Sequence, residues 1–420
     1  MQKTELKTFS FLEKSITITW RTLLTGSAVI FSVFLMFFAS LSYGDSGFKH
    51  WIKEFKKIAI AHNITSSTFH MAFKGVNTID PEVLKSAAYQ PEFVAPSWNY
   101  FDNRVHDIAI VEGRRQTQKW NKWLLQIEKR FGVDRNILLA IWSMESNYGK
   151  ILANKSVMRD TIRSLATLAY ADKKRAKYAY TQLISAMKIL QSGEIKRSQL
   201  TGSWAGALGH TQFIPSSYLA YAVDMDQDGR RDIWNSVPDA LATAANLLHK
   251  NGWQPNLIWG VEVKVPQGKN LPEGFYSFEQ WNKLGVKHAN GHPLPTSAEQ
   301  AILKYPDGAK GPIFLVTKNF FVLKHYNNAD RYAFAVALLA DRIAGHPGLV
   351  HDWQRPFQPL TFQECKELQS RLSALGYYKG NVDGKIGTAS RKAIKAFQLR
   401  HGLKANGYPS SQVLFLLRKQ

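Results

Sequence analysis

Residues 134–149 place a glutamate on the apolar face of a helix, and this constrains the fold more than any other feature of the chain. Asp134 is positioned to cap a helix running through Arg135, Asn136, Ile137 and on to Glu145, and Gly149 is a natural stop. Ile137, Leu138, Ile141 and Trp142 form its apolar stripe. Glu145 lies four residues beyond Ile141 and three beyond Trp142, so it shares that face. A carboxylate there is costly unless it is paired, lines a cleft, or is raised in pKa by poor solvation. On position alone a structural glutamate is the favoured reading, because structural networks also perturb carboxylates.

The rest of the chain surrounds this segment with more helix. Trp51, Phe55, Ile58 and Ala59 recur at helical spacing within residues 46–75, and residues 104–255 carry repeated helical patterns with few prolines. From about residue 254 to 316 Pro and Gly become frequent, and Val261 to Val265 alternates like a strand, which predicts a small β-containing insertion. Helical spacing returns at Asp330–Ile343. The stretch around Gly345-His346-Pro347-Gly348 and Gln354 to Pro359 then reads as a linker. With 420 residues, two or three domains are expected. The divisions are residues 1–44, a large unit over 45–350, a linker over 351–360, and a small unit over 361–420.

The amino-terminal residues narrow the cellular setting. Lys3, Lys7, Lys14 and Arg21 precede an uncharged run from Thr22 to Gly44 with an apolar centre from Val33 to Phe38. These are the parts of a signal peptide, and the run is also about long enough to be a membrane anchor in the inner membrane. Either way the remainder is expected outside the cytoplasm, in the periplasm or cell envelope. The chain carries a net charge of +22, and removing residues 1–44, with four basic and two acidic residues, leaves +20. Such a charge calls for anionic partners. Export argues against nucleic acid and for the anionic polymers of an envelope. The single cysteine, Cys365, excludes an intrachain disulfide and cysteine-rich metal sites.

The motif around Glu145 reverses the reading based on position. Glu145-Ser146-Asn147-Tyr148-Gly149 is followed about fifty residues later by Ser203-Trp204-Ala205-Gly206-Ala207-Leu208-Gly209-His210-Thr211-Gln212-Phe213-Ile214-Pro215-Ser216-Ser217. Asp232-Ile233-Trp234-Asn235, Ala244-Ala245-Asn246, Asn251-Gly252-Trp253 and Tyr326-Asn327 come after it in order. These blocks resemble the lytic murein transglycosylases, and among them the membrane-bound lytic transglycosylase B family, over roughly residues 50–350. One accidental block is far easier to obtain than four in sequence.

The resemblance implies a mainly α, lysozyme-like catalytic domain that cleaves the β-1,4 bond between N-acetylmuramic acid and N-acetylglucosamine. Glu145 would protonate the leaving oxygen, as a poorly solvated glutamate can near neutral pH. An ordinary glycosidase needs a second carboxylate. The family instead uses the C6 hydroxyl of the muramic acid, so Glu145 would then act as base and the product would close to a 1,6-anhydro ring. No cofactor is required. Position by position, Ser203 would hold the 2-acetamido group or the developing cation, Gln212 would lie near the cleavage point and Phe213 would shape the groove. Tyr326 and Asn327 would stand near the carboxylate, and Gly206 and Gly209 would let the backbone approach sugar. Lys174 and Arg175 fall where the family has an Arg-Arg pair able to meet peptide-stem carboxylates. Two rivals stay open: a lysozyme-type hydrolase, with Asp160 or Asp172 as second acid, and a non-catalytic wall-binding scaffold.

Two further features stand apart from the chemistry. Asp224, Asp226, Asp228 and Asp232 occupy positions 1, 3, 5 and 9 of an EF-hand-like loop, with Gly229 at position 6 and the carbonyl of Arg230 available. Structural Ca²⁺ is the candidate ion, although Asn235 stands where the bidentate glutamate belongs. The competing account is an Asp-rich turn that caps helices. In the last unit, Leu368, Leu372 and Leu375 form one helical stripe, Ile394 and Phe397 another, and Asp383-Gly384 a turn. This unit resembles the three-helix peptidoglycan-binding domain, which implies glycan strands and peptide stems as partners.

Overall fold

The computed structural model describes residues 46–88 and 96–420. The expected signal peptide or membrane anchor, residues 1–44, lies outside the described residues. Among the described residues no helix is long and apolar enough to cross a membrane.

Helices dominate the first two-thirds of the chain. Residues 46–61 are helical (α1) and are followed by α2 (Ser66–Phe73), α3 (Pro81–Ala88), α4 (Ser97–Arg104), α5 (Asp107–Phe131) and α6 (Arg135–Ser146). A two-residue strand β1 (Arg159–Asp160) precedes α7 (Thr161–Ala171) and α8 (Ala176–Gln191) and pairs antiparallel with β2 (Thr201–Gly202). Then come α9 (Pro215–Tyr221) and α10 (Val237–Lys250). The insertion holds β3 (Gly260–Lys264), β4 (Tyr276–Ser277), α11 (Phe278–Lys283), β5 (Lys287–His288), β6 (Gln300–Lys304) and β7 (Ile313–Val316). Its antiparallel sheet has the order β4-β6-β7-β3-β5 and its own core of Val263, Phe278, Trp281 and Leu315. The chain returns to the helical body through α12 (Lys318–Leu323) and α13 (Asp330–Ala344).

The glutamate-bearing helix lies at the centre. Asp134 caps α6 by accepting from the backbone N–H of Asn136 and Ile137, which satisfies two of the donors a helix start leaves open. The apolar stripe is wider than the spacing predicts: Leu139, Ala140 and Met144 are buried together with Ile137, Leu138, Ile141 and Trp142. A helix apolar nearly all round belongs inside a body, and α6 is packed by α5, α10 and α13. At the amino end, Phe55 and Ala59 are buried as expected, but Ile58 faces outward.

The segment read as a linker is a packed strap. Glu262 accepts from the N–H of Val350 and His351, Asp307 from that of Gln354, and Trp353 stacks on Phe101 at 4.0 Å. Beyond it, α14 (Phe362–Ala374), α15 (Thr388–Arg400) and α16 (Ser411–Arg418) close over Leu368, Leu372, Ile394, Phe397, Val413 and Leu417. This unit is docked against the helical body. Trp98, 2% exposed, is met edge-on by Phe357 and Tyr408 and covered by Arg391, which also donates to Asn99.

Candidate active site

α6 ends immediately after Glu145. Asn147, Tyr148 and Gly149 all take positive φ (50°, 56° and 81°), so the chain reverses sharply at the carboxylate. Such angles are costly for a bulky residue and persist only where the surroundings over-determine them. Here Tyr148 is buried against Trp142, and its hydroxyl donates to Ala109 O at 2.8 Å. The Ser146 hydroxyl accepts from Gly149 N–H and donates to His210 O at 2.5 Å, which ties the reversal to the 203–214 loop. Arg104 donates to Met144 O, placing a cation at the carbonyl end of α6 where the helix dipole favours one.

Glu145 is half-buried, and the Tyr332 hydroxyl donates to its Oε1 at 2.6 Å. Tyr332 lies on the first turn of α13, stacked on Tyr326 with centroids 6.3 Å apart. Burial, followed by the charge of Glu145, pushes both phenols well above the ordinary tyrosine range, so both are donors. Tyr326 donates to Thr211 O at 2.6 Å. Phe213 meets Tyr326 edge-on at 5.5 Å and is only 3% exposed, so it braces that ring from within and offers little surface to a glycan.

The other site residues are placed as follows. Ser203 accepts from Ala205 and Ala207 N–H, closing its own loop. Gln212, at φ 50°, donates to Gly209 O. Gly209 is required by packing, because a Cβ there would collide with the Ile233 carbonyl; at Gly206 one would strike Leu165. Asn327 is exposed, and its carbonyl accepts from Ala329 N–H. Arg175 is committed to Asp172 (2.7 Å), Ala87 O and the face of Trp204, whereas the Lys174 side chain is exposed. Asp160 caps α7 and pairs with Arg197, and Asp172 is likewise taken by Arg175 and by the N–H of Lys174. Tyr332 was missed from sequence. The available signal was a tyrosine on a helix otherwise lined with Ala, Val and Leu, whose hydroxyl needs a partner once buried.

The Asp-rich loop is arranged differently from an EF-hand. Oxygens of Asp224, Asp226 and Asp239 lie within 4.8 Å of one another. Asp228 instead pairs with Arg230, and Asp232 accepts from Trp234 and Asn235. Asp239, fully buried on α10, accepts from Met225, Asp226 and Asp232 N–H, and burial pushes its carboxyl up to about 6. Three hard oxygen donors, one of them desolvated, suit a divalent cation such as Ca²⁺. A cavity of about 890 Å³ lies elsewhere, at the Asp134 end of α6, about 16 Å along the helix from Glu145.

Residues 47–341 match the transglycosylase SLT domain family, and residues 363–417 match the peptidoglycan binding domain family. The chain is 30% identical over 265 residues to membrane-bound lytic murein transglycosylase B of Escherichia coli, an alignment spanning 61% of this chain and 66% of that protein. The crystal structure of SltB3 from Pseudomonas aeruginosa in complex with NAG-anhNAM-pentapeptide is similar at 43% identity and a TM-score of 0.70, over 88% of this chain and 99% of that one. The Escherichia coli lytic transglycosylase Slt35 in complex with calcium is similar at 27% identity and a TM-score of 0.53, over 64% and 84%. With the family match running from α1 almost to the end of α13, and a second match on the docked three-helix unit, the chain belongs to the SLT family of lytic transglycosylases and carries a carboxy-terminal peptidoglycan-binding domain.

Proposed function

We propose that this protein cleaves the β-1,4 bond between N-acetylmuramic acid and N-acetylglucosamine in peptidoglycan and leaves 1,6-anhydromuramic ends, with Glu145 as the single acid and base. The observation that carries this reading is the state of the acids. Glu145 is oriented by Tyr332 at the end of α6, whereas Asp160 and Asp172, the candidates for a second carboxylate, are consumed by helix caps and arginines. In this reading the Glu145 carboxyl gives its proton to the leaving oxygen and then takes that of the C6 hydroxyl, while the Tyr332 phenol stays on Oε1. A similar protein, SltB3, is known with NAG-anhNAM-pentapeptide bound, which supports an anhydro product here.

The deciding experiment is mass analysis of muropeptides released from sacculi. Anhydromuramyl ends are expected. Reducing ends would make the enzyme a hydrolase, and no release by folded protein would make it a scaffold. Glu145→Gln is expected to abolish release while wall binding persists.

The remaining parts of the reading follow from this substrate. The protein works in the periplasm or cell envelope, on glycan strands and peptide stems, with membrane association through residues 1–44; fractionation of cells checks the location. Of the paired cations first assigned to stem carboxylates, Lys174 is the better placed. Ca²⁺, where bound, is held by Asp224, Asp226 and Asp239, and it braces the turn between α9 and α10 without entering the chemistry.

A further inference from the structure

His210 takes no part in the acid–base chemistry of Glu145, yet its position is closely controlled. Its N–H donates to Ile233 O at 2.9 Å, and its carbonyl accepts from Ser146. The imidazole stands edge-on to Trp142, with centroids 5.5 Å apart, and rests over Gly149, where a Cβ would come within 2.5 Å of Nδ1. Trp142 Nε1 donates to Nδ1 at 3.1 Å. An indole nitrogen can only donate, so Nδ1 accepts and the neutral ring carries its hydrogen on Nε2. Burial holds the imidazole pKa down to about 4, so this tautomer is the form present at neutral pH.

Among the described residues the Nε2–H has no protein acceptor. Among the described residues, the buried side-chain polar atoms without a partner are Thr161 Oγ1 and Ser164 Oγ, so Nε2 reaches solvent. Trp142 and Ser146, which bond the ring and the carbonyl of His210, flank Glu145 in the last turn of α6, and Gly149 follows in the reversal. The ring that packs on Trp142 and Gly149 therefore stands at the same end of α6 as the carboxylate. Gln212, two residues further on, is half-exposed like His210, with buried Thr211 between them.

We propose that His210 is a substrate-positioning residue whose Nε2–H donates to a neutral acceptor oxygen of the glycan, a hydroxyl or acetamido carbonyl, beside Glu145. A fixed neutral donor suits an uncharged sugar oxygen, whereas a carboxylate of the stem would be better met by Lys or Arg. The proposal rests on the glycan-cleaving function above.

The test compares His210→Asn, which keeps an acceptor for Trp142 but loses the outer donor, with His210→Gln, which reaches outward with an amide N–H. On glycan strands stripped of stem peptides, His210→Asn is expected to raise KM about five- to tenfold with kcat within about twofold and the melting temperature unchanged. His210→Gln is expected to recover most of the loss. Should His210→Asn fold poorly, His210→Phe keeps the ring packing and is expected to show the same rise in KM. A folded variant with wild-type KM overturns the proposal, as does a loss confined to kcat and melting temperature. A KM effect seen on stem-bearing sacculi but absent on naked strands also overturns it, because the contact is then with peptide. A wild-type protein that releases no product removes the cleavage function and this proposal together, whereas an active wild type with an indifferent variant removes this proposal alone.

Discussion

The Tyr332 hydroxyl and the Glu145 carboxylate are joined by a 2.6 Å hydrogen bond between two helices 187 residues apart in the chain. The bond helps to fix the orientation of the glutamate. Tyr332→Phe removes it while preserving the ring, so packing is largely kept. A hydrogen bond to a charged group is worth about 1.5–3 kcal/mol, which predicts a fall in kcat of roughly ten- to a hundredfold with little change in KM. Steady-state rates on soluble glycan strands check this, and an unchanged kcat would remove Tyr332 from the orientation of Glu145.

The acidic loop is expected to bind calcium in a pH-dependent way. Burial raises the Asp239 carboxyl to about 6 in the folded protein, above its unfolded value. Its contribution to stability is therefore full below about pH 4 and lost as pH rises through about 6. A cation that holds the carboxylate ionised offsets that loss, so calcium is expected to raise the melting temperature more at pH 7.5 than at pH 5. Asp226→Asn is expected to abolish the shift and to leave the activity of the folded enzyme unchanged. Calorimetry with calcium and with chelator, at both pH values, decides the matter.

Asp341 shows the same sign at a different place. It lines the 890 Å³ cavity, accepts from Trp259 Nε1 at 3.0 Å, and is pushed up to about 6 by burial. Asp341→Asn keeps an acceptor for the indole and removes the charge. One third of the side chain is exposed, so solvent screening limits the gain to about 1 kcal/mol at pH 8, falling to none near pH 4. Denaturant unfolding at the two pH values measures it, and equal gains at both would remove charge burial as the cause.

The docking of the wall-binding unit should depend on Arg391. This side chain covers Trp98 with its guanidinium 5.6 Å from the ring and donates to Asn99. Arg391→Ala is expected to weaken docking by about 1–2 kcal/mol. Protease cleavage within residues 345–360 should then quicken while binding to sacculi is retained. Unaltered cleavage rates would show that Phe357 and Tyr408 hold Trp98 by themselves.

Much of this was legible locally. The cap at Asp134, the helix after it and the turn at Asp383-Gly384 follow from side chains bonding to backbone a few residues away. What escaped were consequences of enclosure. The linker reading rested on Gly345, Pro347 and Gly348 and on Pro356 and Pro359, but Glu262, Asp307 and Trp98, all far away in the chain, pin the strap down. The EF-hand spacing groups Asp228 and Asp232 with Asp224 and Asp226, whereas in the structure Arg230 and backbone donors engage Asp228 and Asp232, and Asp239 comes to Asp224 and Asp226 from α10, outside the loop.

The sequence by itself determined the helical character of the large unit, the motif that singles out Glu145 as the candidate carboxylate and the presence of a second, three-helix unit, because periodicity and motif are written in neighbouring residues. Only the tertiary structure decided what surrounds Glu145. Tyr332, the tautomer of His210 and the third acid of the loop are set by contacts between segments far apart in the chain, and no local pattern encodes which distant donor will arrive at a buried oxygen.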